Sequence, residues 1–164
     1  MKHLIISVIG KDTPGLVNTL SASVYRHQGS WQASRFTQLA GQFAGIMQIS
    51  LPDENKRALI ADLKTNQHLQ IHIVDGDESL PNKAQFSVAV SGNDRPGIIQ
   101  QVSQLLSQNG INICQLKSKT ESAPNWGYPL FYAQFQINLP TEIDIDDLKD
   151  QLESIADDLT IDLE

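Results

Sequence analysis

The chain has 164 residues, 12 Lys and Arg against 19 Asp and Glu, a formal net charge of −7 and a single cysteine. With 40% hydrophobic and 19% charged residues it has the composition of a folded protein, and its first apolar run, Leu4–Ile6, is far short of the ~20 residues that cross a bilayer. An acidic balance argues against direct nucleic-acid binding, while a lone Cys114 and a start without a basic-then-apolar leader fit a cytoplasmic protein.

Taken in order, Leu4–Ile9 reads as a strand, and Gly10-Lys-Asp-Thr-Pro-Gly15 as a turn that opens a helix. Leu16, Leu20 and Val24 recur at helical spacing, and Gly29 ends that helix. Strands follow at about 31–39 and 43–51, joined through Ala40-Gly41-Gln42, and Pro52 stops the second. A helix over about 53–66 and a strand over about 69–75 close the first unit. Residues 76–83 carry Gly, Asp, Ser and Pro without apolar periodicity and read as a linker.

The pattern then repeats. Gly92-Asn-Asp-Arg-Pro-Gly97 matches the first turn at an offset of 82, and four of the six residues are identical. The strand Phe86–Ser91 precedes it. The helix after it carries Ile98, Val102, Leu105 and Leu106 on one face and ends at Gly110. Strands are expected at about 111–120 and 130–139, a helix at 142–157 with a buried stripe of Leu148, Leu152, Ile155 and Leu159, and a strand at 160–163. The expectation is α+β: two ferredoxin-like βαββαβ domains, 1–75 and 84–164, each an antiparallel sheet with its helices on one face. Isolated sheets of this size leave edges exposed, so the two are expected to join or pack across a pseudo-twofold.

Catalytic signatures are missing: no Ser-His-Asp spacing, no Gly-x-Ser-x-Gly, no Cys-x-x-Cys. His68 and His72 straddle a helix–strand junction and read as surface histidines, and Cys114 as a small packed strand residue. Neither cofactor nor metal is expected. The Asp-x-Pro-Gly turn has two readings. Asp12 and Asp94 cap the following helices. Alternatively, helix N–H groups hold the carboxylate of an amino acid and the Asp its ammonium, with bare Gly10 and Gly92 leaving room.

The repeated βαββαβ order, the Gly-x-Asp-x-Pro-Gly turns and Gly110-Ile-Asn-Ile113 resemble the ACT domain, a family of small regulatory modules that often bind amino acids. Arg95-Pro-Gly, Gly15-Leu-Val-Asn-Thr19 and Ala33-Ser-Arg35 are similar to the pattern of the glycine cleavage system transcriptional repressor family. That resemblance implies a regulator that acts through a DNA-binding transcriptional activator, with glycine as effector at the domain seam. It implies a ligand set of Gly10, Asp12, Gly15 and Ser30 in the first copy, and Gly92, Asp94, Gly97 and Asn112 in the second. The sequence departs from the family with Asp where Asn is common, in both turns, and with Ser30 where Asn is common.

The second copy carries six extra residues within Glu121–Tyr128, and Trp126 and Tyr128 there are candidate anchors for a protein partner. A ligand-free interaction module, a detached regulatory subunit of a metabolic enzyme and a homodimer all stay open. Charge separates the copies: residues 1–82 are neutral, and residues 83–164 carry the whole excess.

Overall fold

The computed structural model describes residues 1–77, 84–123 and 127–164. The chain divides into two compact units, Met1–Leu80 and Pro81–Glu164. The first contains β1 (Lys2–Lys11), α1 (Leu16–Arg26), β2 (Ser30–Leu39), β3 (Gln42–Leu51), a single 3-10 turn at Asp53–Asn55, α2 (Lys56–Lys64) and β4 (Leu69–Asp75). The second contains β5 (Gln85–Asn93), α3 (Ile98–Gln108), β6 (Asn112–Ser122), β7 (Pro129–Asn138), α4 (Ile145–Glu153) and β8 (Leu159–Leu163). The sheets run β2-β3-β1-β4 and β6-β7-β5-β8, antiparallel throughout, which is the ferredoxin-like arrangement.

Each unit builds its own core. In the first, Leu4, Ile6 and Val8 alternate along β1 and meet Leu16, Leu20 and Val24 of α1 and Leu59 and Leu63 of α2. In the second, Val88 and Val90 meet Ile98, Val102 and Leu106 of α3 and Leu148 and Leu152 of α4. The apolar residues between these positions face outward; Ile9 is half exposed. Strands β2 and β6 carry matching β-bulges, at Gln32 and Cys114, where the register shifts. Cys114 is therefore exposed rather than packed.

The helix starts differ from the capping expectation. The N-caps are Gly15 and Gly97, both at φ 91°, and no side chain caps either helix. Pro14 and Pro96 stand before the cap, not in the first turn, and neither Asp12 nor Asp94 caps its helix. A left-handed cap suits glycine because a Cβ there would crowd the backbone.

Gly110 ends the second helix as expected, while the end of the first differs. In both copies the cap residue is followed by a left-handed residue whose neighbour bonds back into the helix. In the second it is Gly110, with Ile111 N–H donating to Leu106 O at 2.9 Å. In the first it is Gln28, at φ 60°, with Gly29 N–H donating to Val24 O at 2.8 Å. Gly29 serves close packing instead, since a Cβ there would lie 2.8 Å from Val24 Cγ1.

The second helices are shorter than the apolar pattern suggests. Ile155 lies beyond α4, and Leu159 opens β8. Asp144 caps α4 by accepting the Asp146 N–H at 2.8 Å, and Asp146 and Asp147 occupy its first turn. Part of the acidic run thus complements the helix dipole.

Candidate functional site

The two Asp-x-Pro-Gly turns are held alike. Asp12 N–H donates to Gly41 O in the β2–β3 connection, and Asp94 N–H to Pro129 O at the start of β7, both at 2.9 Å. Both Asp side chains are exposed. Gly10 and Gly92 lie inside β1 and β5, and the space on their Cβ side is filled. A Cβ on Gly10 would run into the carbonyl oxygen of His68, and one on Gly92 would lie 2.6 Å from that of Asp158. On the side where a Cβ would stand, these glycines admit the backbone entering β4 and β8. Gly10 also lines a shallow groove with Lys11, Gln42 and His68.

Ser30 and Asn112 sit at the other end of their sheets. Ser30 pairs with Ser50, which pairs with His3, while Asp12 follows Lys11 at the far end of β1. Asn112 pairs with Asn138, which pairs with Gln85, while Asp94 follows Asn93. At ~3.3 Å per residue the members of each pair stand roughly 30 Å apart along the strand direction within their own domain. No single domain brings its Asp and its Ser or Asn onto one small ligand. Ser30 also accepts a hydrogen bond from Gln32 Nε2 at 2.9 Å, and Gln32 further donates to the buried Ser50 hydroxyl at 3.1 Å.

A groove of about 510 Å³ opens elsewhere in the first domain, between α1 and the α2–β4 connection. Thr13, Gly15 and Thr19 form one wall, and Thr65, Asn66 and His68 the other. Ser23, Arg26 and Asp62 also line it. There the Asp62 carboxylate accepts from the buried Ser23 hydroxyl at 2.6 Å, from Arg26 Nη1 at 3.0 Å, and lies 3.0 Å from His27 Nε2. The Ser23 hydrogen bond is the main reason its pKa lies below the usual carboxylate value; partial burial opposes the shift, and His27 and Arg26 reinforce it. Asn66 Oδ1 accepts the N–H groups of His68 and Leu69 at 2.8 and 3.1 Å.

The same place in the second domain is bridged by side chains. The repeat puts Arg95 at the position of Thr13 and Gln101 at that of Thr19. Asp158 precedes β8 as His68 precedes β4. Arg95 Nε donates to Asp158 Oδ2 at 2.9 Å, and its Nη2 to Gln101 Oε1 at 2.9 Å, so the guanidinium bridges α3 and the α4–β8 connection. Arg95 holds the Asp158 carboxyl below its ordinary value. Behind it, Leu105, Gln108 and Asn109 replace Ser23, Arg26 and His27, and a neutral contact from Asn109 Nδ2 to Gln151 Oε1 at 3.1 Å replaces the charged cluster. A position-by-position comparison of the repeats marks these differences in sequence; that they face one another across a groove needs the fold.

The remaining candidates scatter. Trp31 packs on the first core and donates from Nε1 to Ser34 Oγ at 3.1 Å. Tyr128 is 70% exposed, and Trp126 lies outside the described residues. Among the described residues no three His, Cys, Asp or Glu side chains converge as metal ligands, and no helix is long and apolar enough to cross a membrane.

Comparison with known proteins bears on the whole chain. The family model of the ACT domain matches residues 2–74, and the second unit repeats the same element order. The first unit matches the ACT domain, and the second repeats its fold. It is similar to the glycine cleavage system transcriptional repressors of Escherichia coli (strain K12) and Shigella flexneri, each 24% identical over 163 residues, 96% of this chain and 85% of the relative. A crystal structure of an unknown protein from Galdieria sulphuraria, 26% identical, covers 99% of this chain and 97% of its own, with a TM-score of 0.88.

Proposed function

We propose that this protein is an amino-acid-responsive regulator of glycine cleavage system expression that binds a DNA-binding transcriptional activator rather than DNA. The observation that carries the reading is the similarity to curated repressors, which runs through both units rather than one. Glycine is the effector of choice. The second unit's acidic surface supports a protein partner over nucleic acid, because phosphate repels it. The test is a thermal-shift panel of the twenty amino acids joined to co-purification from a glycine-fed culture. A ligand at a hundred times its dissociation constant should add ~2.7 kcal/mol, and a DNA-binding activator should co-purify. A gel shift with the purified protein alone should be blank.

A ligand-free interaction module is the second reading. It is favoured by the filled space on the Cβ side of Gly10 and Gly92 and by the distance between Asp and Ser or Asn in each domain. It expects the activator to bind equally with and without glycine, and a flat thermal-shift panel.

A further inference from the structure

We infer that the open face of the first sheet, turned away from α1 and α2, docks on the same face of a second copy of this chain. The inference goes beyond the regulatory reading above, which assigns no surface to self-association.

Three observations carry it. The first is clustering. Ile5 pairs with Val74 across β1 and β4, while Ile9 pairs with Ala44 and Ser7 with Ile46 across β1 and β3. The aliphatic side chains are thus neighbours on one face, and Ile9, Ile46 and Val74 are 49%, 48% and 44% exposed. An antiparallel sheet with one face in water ordinarily turns polar residues outward, and a contiguous apolar patch marks a contact surface. Two shallow grooves cross the patch, about 250 Å³ beside Ile5 and Ile46 and about 490 Å³ beside Ile9 and Ala44, where a partner's side chains can seat.

The second observation is internal. The repeat places Ser87, Ser91 and Gln134 where the first domain has Ile5, Ile9 and Ile46, and Glu164 beside Ser87 as Val74 is beside Ile5. All four aliphatic positions become polar on the same fold, and Gln134 Nε2 donates to Ser87 Oγ at 3.0 Å. The fold therefore does not require aliphatic residues there, and only the first domain keeps them.

The third observation is area and charge, and it selects the second copy. Four strands ~4.8 Å apart, with β1 followed over eight steps of ~3.3 Å, make a face of roughly 500 Å². Two such faces cover roughly 1,000 Å², the lower bound of a specific interface. No Asp or Glu is a cross-strand neighbour of the four aliphatic residues. Arg35, which pairs with Ile46, lies on the edge strand β2, where its stem can cover apolar surface while its head reaches water. Residues 1–82 are neutral and residues 83–164 carry the whole −7. Two copies that meet through the first domain therefore bring together their uncharged halves, the pairing with least mutual repulsion. The same patch on each partner gives a closed twofold contact.

The test is sedimentation velocity on the full chain from micromolar to millimolar concentration. A monomer–dimer equilibrium is expected in that range. Added salt should strengthen it, because salt screens the repulsion between two acidic chains and leaves apolar contact intact. Ile46→Gln and Ile5→Ser, which install the second domain's residues, should each raise the dimer dissociation constant about tenfold or more, with the melting temperature of the dilute protein held. A second measurement leaves the aliphatic residues in place. In a Cys114→Ser background, Ser7→Cys should cross-link copy to copy with a short bis-maleimide, and Ala89→Cys, at the matching place in the second domain, should not. A chain that stays monomeric throughout overturns the proposal. So does a dimer that ignores both face variants and is lost in Thr37→Pro, which places the contact at the β2 edge, and so does a dimer that salt dissolves, which rests on ion pairs. A monomer whose co-purifying activator is lost in Ile46→Gln seats that partner on the face and overturns the second copy.

Discussion

Asp62 concentrates more interactions than any residue that the repeat alignment singles out. Removing its charge leaves the buried Ser23 hydroxyl with a weaker acceptor and Arg26 without its anion. Asp62→Ala should cost about 1–3 kcal/mol, the range for stranding a buried polar group. The pH dependence has a definite sign. A carboxyl whose folded pKa is lowered stabilises the fold above its unfolded value of ~3.9, and that contribution disappears as pH falls through the lower folded value. Urea titrations of the native chain and Asp62→Asn should therefore differ most at neutral pH and converge in acid. Gly10 and Gly92 carry a second prediction. Alanine at either position forces its Cβ into a carbonyl of the neighbouring segment, so each change should cost about 1–3 kcal/mol by strain in denaturant titrations. The sequence marks both glycines by their recurrence at an offset of 82. The backbone they admit on the Cβ side belongs to a residue 58 or 66 positions away.

The elements were largely legible because hydrophobic period and repeat agreed. Alternation in Phe86–Ser91 and the spacing of Ile98, Val102 and Leu106 placed β5 and α3. Boundaries were less legible where two signals competed. Asp12 and Pro14 mimic a cap and a first turn, yet the left-handed glycine decides where α1 begins. At the other end, alignment of Gly29 with Gly110 misses by one, because the left-handed position belongs to Gln28. A side chain in that conformation costs ~1–2 kcal/mol. Gln28→Gly should accordingly stabilise the first domain by about 1 kcal/mol, and Gly110→Ala should destabilise the second by a similar amount. Both are read from the unfolding midpoint at constant denaturant slope.

At the level of the whole chain, the described residues form two cores with separate sets of buried side chains. Leu59→Ala opens a cavity in the first and should cost about 2–5 kcal/mol there. Amide exchange measured by mass spectrometry should then speed up across β1–β4 and stay slow in β5–β8; uniform acceleration would contradict separate cores. The charge difference between halves was plain from the sequence, and the fold explains part of it through the acids at the start of α4. The candidate site was far less legible. Its residues come from α1, α2 and two connections, and they matter through what they face. The turn motif stands out in the sequence because it recurs, whereas the groove is lined at positions where the copies differ.

The Arg95–Asp158 pair also has a mechanical consequence. Strand β8 is five residues long against seven in β4, so fewer ladder bonds hold it to its neighbour. The pair fastens the segment that leaves β5 to the residue that enters β8, directly beside the Gly92–Leu159 pairing. The bridge therefore acts as an anchor against fraying. In the first domain the longer β4 runs beside β1 from Leu4 to Gly10, and its ion pair, Lys56 with Asp75, lies at the other end of the strand.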